Sequence, residues 1–280
     1  MKILLLGASS YVGARIYFEL KDKHTVTGTY ATHKLSKDFL QLDITNKDSL
    51  DAIIRRQNPD IILHVANNAS SKWCAVNPDK AVELNQTATR HIVDLANQTG
   101  IKILYISTMG AINPKNLYGK TKAESEKTVR QAVSGYLILR PSLILGYSPN
   151  TVNDRPFNRL LKNLYAGKPA VYDTSWRFQP TYIRHISDVI CHCIKNNIWN
   201  DTISVAVPEL KTRFDTARDI LTPFGIKVEP TKESNTFTFF EDKLDGLYKY
   251  SLPRYSYDQM IELIVREIKE CERFKVFDYR

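Results

Sequence analysis

The residues best suited to chemistry in this 280-residue chain are Tyr118 and Lys122, four positions apart. On a helix that spacing puts both side chains on one face. A free phenol titrates near 10 and is a poor acid–base group at neutral pH. A lysine ammonium about 5 Å away, at an effective dielectric near 20, contributes roughly 3 kcal/mol toward the phenolate. That is about 2 pKa units. Tyr-x-x-x-Lys alone occurs by chance in many helices. Here Ser107 and Thr108 stand upstream, at the end of the apolar run Ile103–Ile106, which has the character of a buried strand. The Ser107-Thr108 pair after that strand raises the odds that the motif is functional. The set suits proton exchange with a carbonyl or an alcohol.

A second chemical feature opens the chain. Residues 2–6 form an apolar run ended by Gly7, and Gly7-Ala8-Ser9-Ser10-Tyr11-Val12-Gly13 leads into a helical pattern. A glycine turn between a first strand and a first helix lets backbone N–H groups approach a pyrophosphate at the positive helix end. Gly13 would permit close packing of helix on strand. At the end of the second strand an NAD site usually carries Asp or Glu for the ribose 2′-hydroxyl. This chain instead has Tyr30, Ala31, Thr32, His33 and Lys34. No carboxylate is there to repel a 2′-phosphate, and Thr32 and Lys34 could bind one. NADP(H) is therefore expected over NAD(H).

The elements that must position these groups follow from periodicity. Strands are expected at 2–6, 25–30, 39–42, 60–65, 103–106 and 136–139. Helices are expected at 11–20, from Thr45 or Asn46 to 56, at 78–98 and at 116–133. This alternation predicts an α/β fold, a Rossmann-type doubly wound parallel sheet. Regularity fades after Gly146, where Pro, Asn, Arg and aromatics mix around a helix at 154–166. A helix at 186–195 and a strand at 202–206 return to the sheet, and a final charged helix is expected near 257–273. The expected division is a dinucleotide-binding domain over 1–149 with 183–210 returning to it. Residues 150–182 and 211–280 form a smaller C-terminal substrate-binding lobe.

Bulk composition narrows the class. With 43% hydrophobic residues the chain can bury a continuous core. The N-terminal apolar run is too short for a secretory signal, and nothing approaches about 18 apolar residues, so a cytoplasmic protein with no membrane contact is expected. Four cysteines make no disulfide framework. Cys191-His192-Cys193 falls in the apolar pattern of a helix and lacks a second ligand pair, so no metal is expected. The net charge of +9 is spread without a basic block, which argues against nucleic acid and suits anionic small ligands.

Taken together the motifs resemble the extended short-chain dehydrogenase/reductase family, and most of all its dTDP-4-dehydrorhamnose reductase branch. The matching stretches, in family order over about residues 1–190, begin with the 7–13 glycine loop, Leu42-Asp43-Ile44, His64-Val65-Ala66 and Asn85 in Leu84-Asn85-Gln86-Thr87. They continue with Tyr105-Ile106-Ser107-Thr108, Leu117-Tyr118-Gly119-Lys120-Thr121-Lys122, Arg140-Pro141 with Gly146, and Pro180-Thr181-Tyr182. The resemblance implies an NADPH-dependent reductase of a nucleotide-linked keto-sugar. Tyr118 would give the proton, Lys122 would hold the nicotinamide ribose, and Thr108 or Ser107 would bind the reacting oxygen. Asp43 and Ile44 would lie beside the adenine, and Val65, Ala66 and Asn67 along the cofactor, with Ala66 at a ribose. Pro141 would lie beside the nicotinamide, while Asn85 would chiefly brace the helix against the active-site strand. Arg155, Arg159, Arg177 and Arg184 are candidates for the substrate diphosphate, and the family's habit implies a homodimer.

Departures bear on the substrate. Ser10 replaces a family glycine, Met109-Gly110-Ala111 replaces the usual Asp and aromatic loop, and the connection to Tyr118 is short. The arginine-proline signature near the family's C-terminus is not recognisable. Two alternatives stand beside the reductase. One is a sugar-nucleotide epimerase of the same family. The other is a non-catalytic NADP-binding subunit like the regulatory subunit of methionine adenosyltransferase, which shares the Leu-Tyr-Gly-Lys-Thr-Lys stretch.

Overall fold

A computed structural model describes residues 1–232, 237–238 and 242–271. Through the first half, strands and helices alternate as β1 (Lys2–Leu6), α1 (Tyr11–Leu20), β2 (Thr25–Tyr30), β3 (Leu40–Gln41), α2 (Lys47–Gln57) and β4 (Ile61–His64). They continue with α3 (Ser71–Val76), α4 (Pro78–Val82), α5 (Ala88–Thr99), β5 (Lys102–Ile106), α6 (Leu117–Val129) and β6 (Tyr136–Pro141). The ends obey local chemistry. Asn46 caps α2 by accepting from Ser49 N–H, Pro78 opens α4, and Gly100 closes α5 in the left-handed region.

The second half holds β7 (Leu143–Leu145), α7 (Pro156–Ala166), β8 (Ala170–Asp173), β9 (Trp176–Phe178), β10 (Pro180–Tyr182) and α8 (Ile183–Lys195). After these come β11 (Asp201–Val205), β12 (Lys211–Thr212), α9 (Arg213–Leu221), β13 (Val228–Thr231), β14 (Phe237–Thr238), α10 (Asp245–Lys249) and α11 (Tyr257–Lys269). The strands of three or four residues here are too short to show alternation, which is why sequence periodicity misses most of them.

Among the described residues seven strands form one sheet in the order β11-β6-β5-β4-β1-β2-β3, every pair parallel. This is the expected doubly wound Rossmann-type sheet, reversing between β1 and β4, where such folds hold ligands beyond the strand ends. Strand β1 is buried from Ile3 to Leu6, as a strand covered on both faces must be. One core, around Leu5, Leu63, Leu104 and Ile186, lies on one side; another, around Leu4, Ile62, Ile92 and Ile103, lies on the other. A third core joins Phe157, Leu161, Ile220, Met260 and Ile264 of α7, α9 and α11 to Tyr11 at the start of α1. Cys193 is packed in the first of these cores from α8. No helix among the described residues is long and apolar enough to cross a membrane.

The expected helix over 78–98 is broken by a π-helical turn at Glu83–Thr87, which contains Asn85. The final helix ends at Lys269, and Arg273 lies outside the described residues.

Candidate active site

The glycine loop is shaped by contacts that leave no room for side chains. Gly7 has φ +87°, and a Cβ there would stand 2.8 Å from Ala66 N. A Cβ on Gly13 would stand 2.1 Å from Gly7 O, so α1 approaches the loop only because residue 13 is glycine. Ser10, in place of a family glycine, caps α1: its Oγ accepts from Gly13 N at 3.0 Å. The loop is then tied to the segment after β7. Asn150 Nδ2 donates to Ser9 O (2.6 Å), Ser148 Oγ to Tyr11 O (2.6 Å) and Tyr11 Oη to Gly146 O (2.5 Å).

From this loop a cleft of about 800 Å³ runs along the ends of β1, β2 and β4. Gly7, Ser9, Ser10, Tyr30, Thr32, His33, Asp43 and Ile44 line it, together with Ala66, Asn67, Lys72 and Trp73. Asn67 Oδ1 has no hydrogen-bond partner among the described residues, leaving a free acceptor in that lining. Volume, glycine cradle and helix N-terminus fit an extended dinucleotide. Lys34 does not line the cleft; its ammonium sits 5.9 Å from the Tyr30 ring centroid. Tyr11, Val12 and Gly13 belong to the first turn of α1 behind the loop, and Val65 and Pro141 are buried at their strand ends.

Asn85 does the bracing. Its amide pairs with the backbone of Asn68, Oδ1 accepting from N–H at 2.8 Å and Nδ2 donating to the carbonyl at 3.1 Å. The π turn frees the Asn85 carbonyl, which accepts from Ser125 Oγ of α6 at 2.7 Å. One asparagine thereby joins the loop after β4 to the helix that carries Tyr118.

Tyr118 and Lys122 occupy the first turns of α6, capped by Asn116 Oδ1, which accepts from Gly119 N at 2.9 Å. Lys122 is fully buried; its Nζ donates to Ile106 O at 2.6 Å and lies 3.9 Å from the Tyr105 ring centroid. Burial pushes this lysine down to about 7, against a smaller upward pull from Glu126. Burial pushes the Tyr118 phenol up to about 12, and Arg155 is the cation that opposes it. The sequence-based expectation that Lys122 acidifies Tyr118 thus meets a different balance: a desolvated lysine near its own midpoint carries only part of a charge. Tyr118 faces a separate small cavity of about 30 Å³ with Met109, Gly110, Asn113 and Lys115, enough for a water but not a sugar.

Thr108 caps the short turn Met109–Ala111, its Oγ1 accepting from Gly110 N at 3.2 Å. Ser107 is committed elsewhere, donating to Glu126 Oε1 at 2.6 Å. Burial raises the Glu126 carboxyl, but bonds from Arg140 and Ser107 outweigh it and hold the group below its usual range. Of the four arginines, Arg155 and Arg159 line the cleft. Arg177 is exposed on β9 outside that lining, and Arg184 lies on α8 beside Asp188 at 3.7 Å, also outside it. Lys72, Trp73 and Arg213 line the cleft without having been singled out in the sequence.

The buried lysine has a testable cost. Its folded value of about 7 lies below the 10.5 ordinary for a lysine, so between those pH values the unfolded chain holds a proton that the folded chain has lost. Stability from this group therefore rises with pH across that window. Lys122→Met is expected to stabilise the cofactor-free protein at pH 7 by about 1–3 kcal/mol, net of the bond lost at Ile106 O, with the gain vanishing near pH 10.5. Thermal melts at pH 7 and pH 10 read this directly; an unchanged or lowered melting temperature at pH 7 would contradict it.

A parallel sheet reversing beside a glycine cradle, with Tyr-x-x-x-Lys on the helix after β5, defines a Rossmann-type α/β protein of the short-chain dehydrogenase/reductase kind. The family described as "RmlD substrate binding domain" matches residues 1–239. The chain belongs to that family, the dTDP-4-dehydrorhamnose reductase branch of the extended group. The dTDP-4-dehydrorhamnose reductase of Aggregatibacter actinomycetemcomitans is 29% identical over 177 residues, 58% of each chain. Methionine adenosyltransferase 2 subunit beta of Bos taurus is 25% identical over 205 residues, 69% of this chain and 60% of that one. The chain thus spans about 60% of the length of such relatives. The crystal structure of dTDP-4-dehydrorhamnose reductase from Bacillus anthracis in complex with NADP superposes with a TM-score of 0.81 at 19% identity, covering 96% of this chain and 99% of that one.

Proposed function

We propose that this protein is an NADPH-dependent reductase of a nucleotide-linked keto-sugar, with Tyr118 as proton donor, Lys122 and Thr108 as its partners, and residues 150–182 and 211–280 as the substrate lobe. The carrying observation is the glycine-cradled cleft at the sheet reversal together with Tyr118 on the helix after β5. A reduced nicotinamide bound there would supply hydride to the carbonyl carbon. Tyr118 would deliver its proton to the carbonyl oxygen, closing the reaction as alcohol and phenolate. A phenol held near 12 stays protonated at neutral pH and so is set for reduction. Thr108 would donate its hydroxyl hydrogen to the same oxygen, and Lys122 would hold the nicotinamide ribose and return charge to the tyrosine side. The Met109–Asn116 segment must open for a sugar to reach Tyr118, given the small cavity there.

Tyr30, Thr32 and His33 bring no carboxylate to a ribose phosphate, and Asp43, which also lines the cleft, has one carboxylate oxygen engaged by Thr45 N–H and Oγ1. NADPH is accordingly expected to bind at least about tenfold tighter than NADH, a difference of about 1.4 kcal/mol. Equal affinities by fluorescence titration would overturn the preference. The reaction is tested by NADPH oxidation over a panel of nucleoside-diphosphate 4-keto sugars. The several methionine adenosyltransferase beta subunits among the relatives favour a second reading, a non-catalytic dinucleotide-binding subunit. That reading gains if NADPH binds tightly, no sugar turns over and a protein partner co-purifies.

A further inference from the structure

Lys122 reaches inward from α6 and meets β5. Its Nζ donates to Ile106 O at 2.6 Å and lies 3.9 Å from the centroid of the Tyr105 ring, one residue earlier on that strand. The lysine has no exposed surface, and the tyrosine is 1% exposed. A buried ammonium ordinarily requires a carboxylate partner. Glu126 stands one turn further along α6, but it pairs with Arg140 and Arg130 and accepts from Ser107. No ion pair joins Lys122 to any carboxylate among the described residues. A carbonyl and an aromatic face stand where a carboxylate would.

The surroundings keep that face neutral. Burial holds the Tyr105 phenol well above its usual range, so it meets the ammonium as a ring and not as a phenolate. His64 of β4 stands opposite Tyr105 in the sheet register, with ring centroids 5.2 Å apart. Burial, with a smaller push from Lys122, brings His64 down to about 3, so it adds no charge at neutral pH. Tyr118, one turn back on α6, is protonated as well. The negative face of an aromatic ring attracts a cation, and most strongly where both are desolvated. Ile106 O takes one of the ammonium's three N–H donors, and the ring favours the charge without being an acceptor atom, so donors remain for a ligand hydroxyl. The balance is fine, because burial brings Lys122 to about 7. A contact that moves its titration by about one pH unit takes it at pH 7 from about half charged to about a tenth.

We infer that Tyr105 is a positioning residue: its ring face, with the Ile106 carbonyl, seats the Lys122 ammonium one turn after Tyr118 and keeps it charged without a carboxylate. What the charge then does, holding the nicotinamide ribose, rests on the reductase reading; the seat does not.

The seat is tested in the cofactor-free protein by NMR titration of lysine labelled with nitrogen-15 at Nζ, the Lys122 signal being assigned by its loss in Lys122→Met. The parent is compared with Tyr105→Phe, with Tyr105→Leu and with a protein carrying trifluorophenylalanine in place of Tyr105. Fluorination keeps the shape and packing of the ring while cancelling the charge on its face. Lys122 is expected to titrate about 0.5–1.5 pH units lower with the fluorinated ring and in Tyr105→Leu, and within about 0.3 of the parent in Tyr105→Phe. A tyrosine that only filled the core would change the melting temperature without ordering the midpoints in this way. NADPH affinity, read by fluorescence at pH 7.5, should fall about threefold to tenfold with the fluorinated ring and be restored in Tyr105→Phe. The seat is overturned if the fluorinated protein titrates together with Tyr105→Phe, a comparison that decides the matter even where Tyr105→Leu fails to fold. A lowered midpoint with unchanged NADPH affinity would uphold the seat and refute the ribose role that the reductase reading gives Lys122.

Discussion

Tyr118→Phe is expected to lower the turnover number for keto-sugar reduction by about 10²- to 10⁴-fold, the usual contribution of a positioned general acid. NADPH affinity and the KM for the sugar should each stay within about threefold, because the phenol acts on an oxygen whose charge develops only in the transition state. The substitution is unusually clean. No hydrogen bond or ion pair of the Tyr118 hydroxyl is present among the described residues, so its removal strands no buried partner. The melting temperature should move by no more than about 2 °C. The pH profile adds a second reading. With the phenol near 12, reduction should show no Tyr118 limb between pH 6 and 9, whereas oxidation of the product alcohol should speed up with pH as phenolate accumulates. If Tyr118→Phe keeps more than about a third of the parent turnover, the proton comes from elsewhere and the proposed chemistry fails.

How far the sequence alone reached depends on how local each feature's cause is. The sheet strands announced themselves because buried parallel strands are continuous apolar runs, as in Ile61–His64. The glycine loop was legible because its shape depends on residues 7 and 13 having no Cβ. Asn85 was legible as a brace, though its partner, the Asn68 backbone seventeen residues earlier, was not. The π turn that aims it has no sequence periodicity of its own.

Charge states were the least legible part. The Tyr118–Lys122 spacing argues for a cation beside a phenol, but spacing says nothing of desolvation, and it is burial that moves both groups, in opposite directions. The arginines show the same limit. Arg155, Arg159, Arg177 and Arg184 look alike in sequence; their difference lies in Asp154, in the outward register of β9 and in Asp188 of α8. Arg213 gave no signal at all, since its neighbour Trp176 comes from a strand thirty-seven positions away.

The glycine loop is also held from a distance, and this yields the largest expected loss of stability. Arg15 of α1 is wholly buried and bonds Glu267 of α11 (2.5 Å), Tyr147 O (2.5 Å) and Glu19 (2.8 Å). Glu267, 1% exposed, also accepts from Tyr182 Oη at 2.6 Å and Tyr147 N at 3.2 Å. Such a pair adds little net stability over an apolar one, since desolvation offsets the attraction, but removing one partner leaves a buried charge exposed to no solvent. Glu267→Ala is therefore expected to destabilise the protein by about 3–5 kcal/mol, a fall of roughly 6–12 °C in melting temperature. Arg15→Met with Glu267→Leu should regain most of it, because no charge is then stranded. The pair links the helix behind the cofactor loop to the last described helix, so Glu267→Ala should also weaken NADPH binding while the double variant restores it. A single variant that melts within 2 °C of the parent would show that Glu19 and the Tyr147 carbonyl alone suffice for Arg15, and that α11 does not hold the loop.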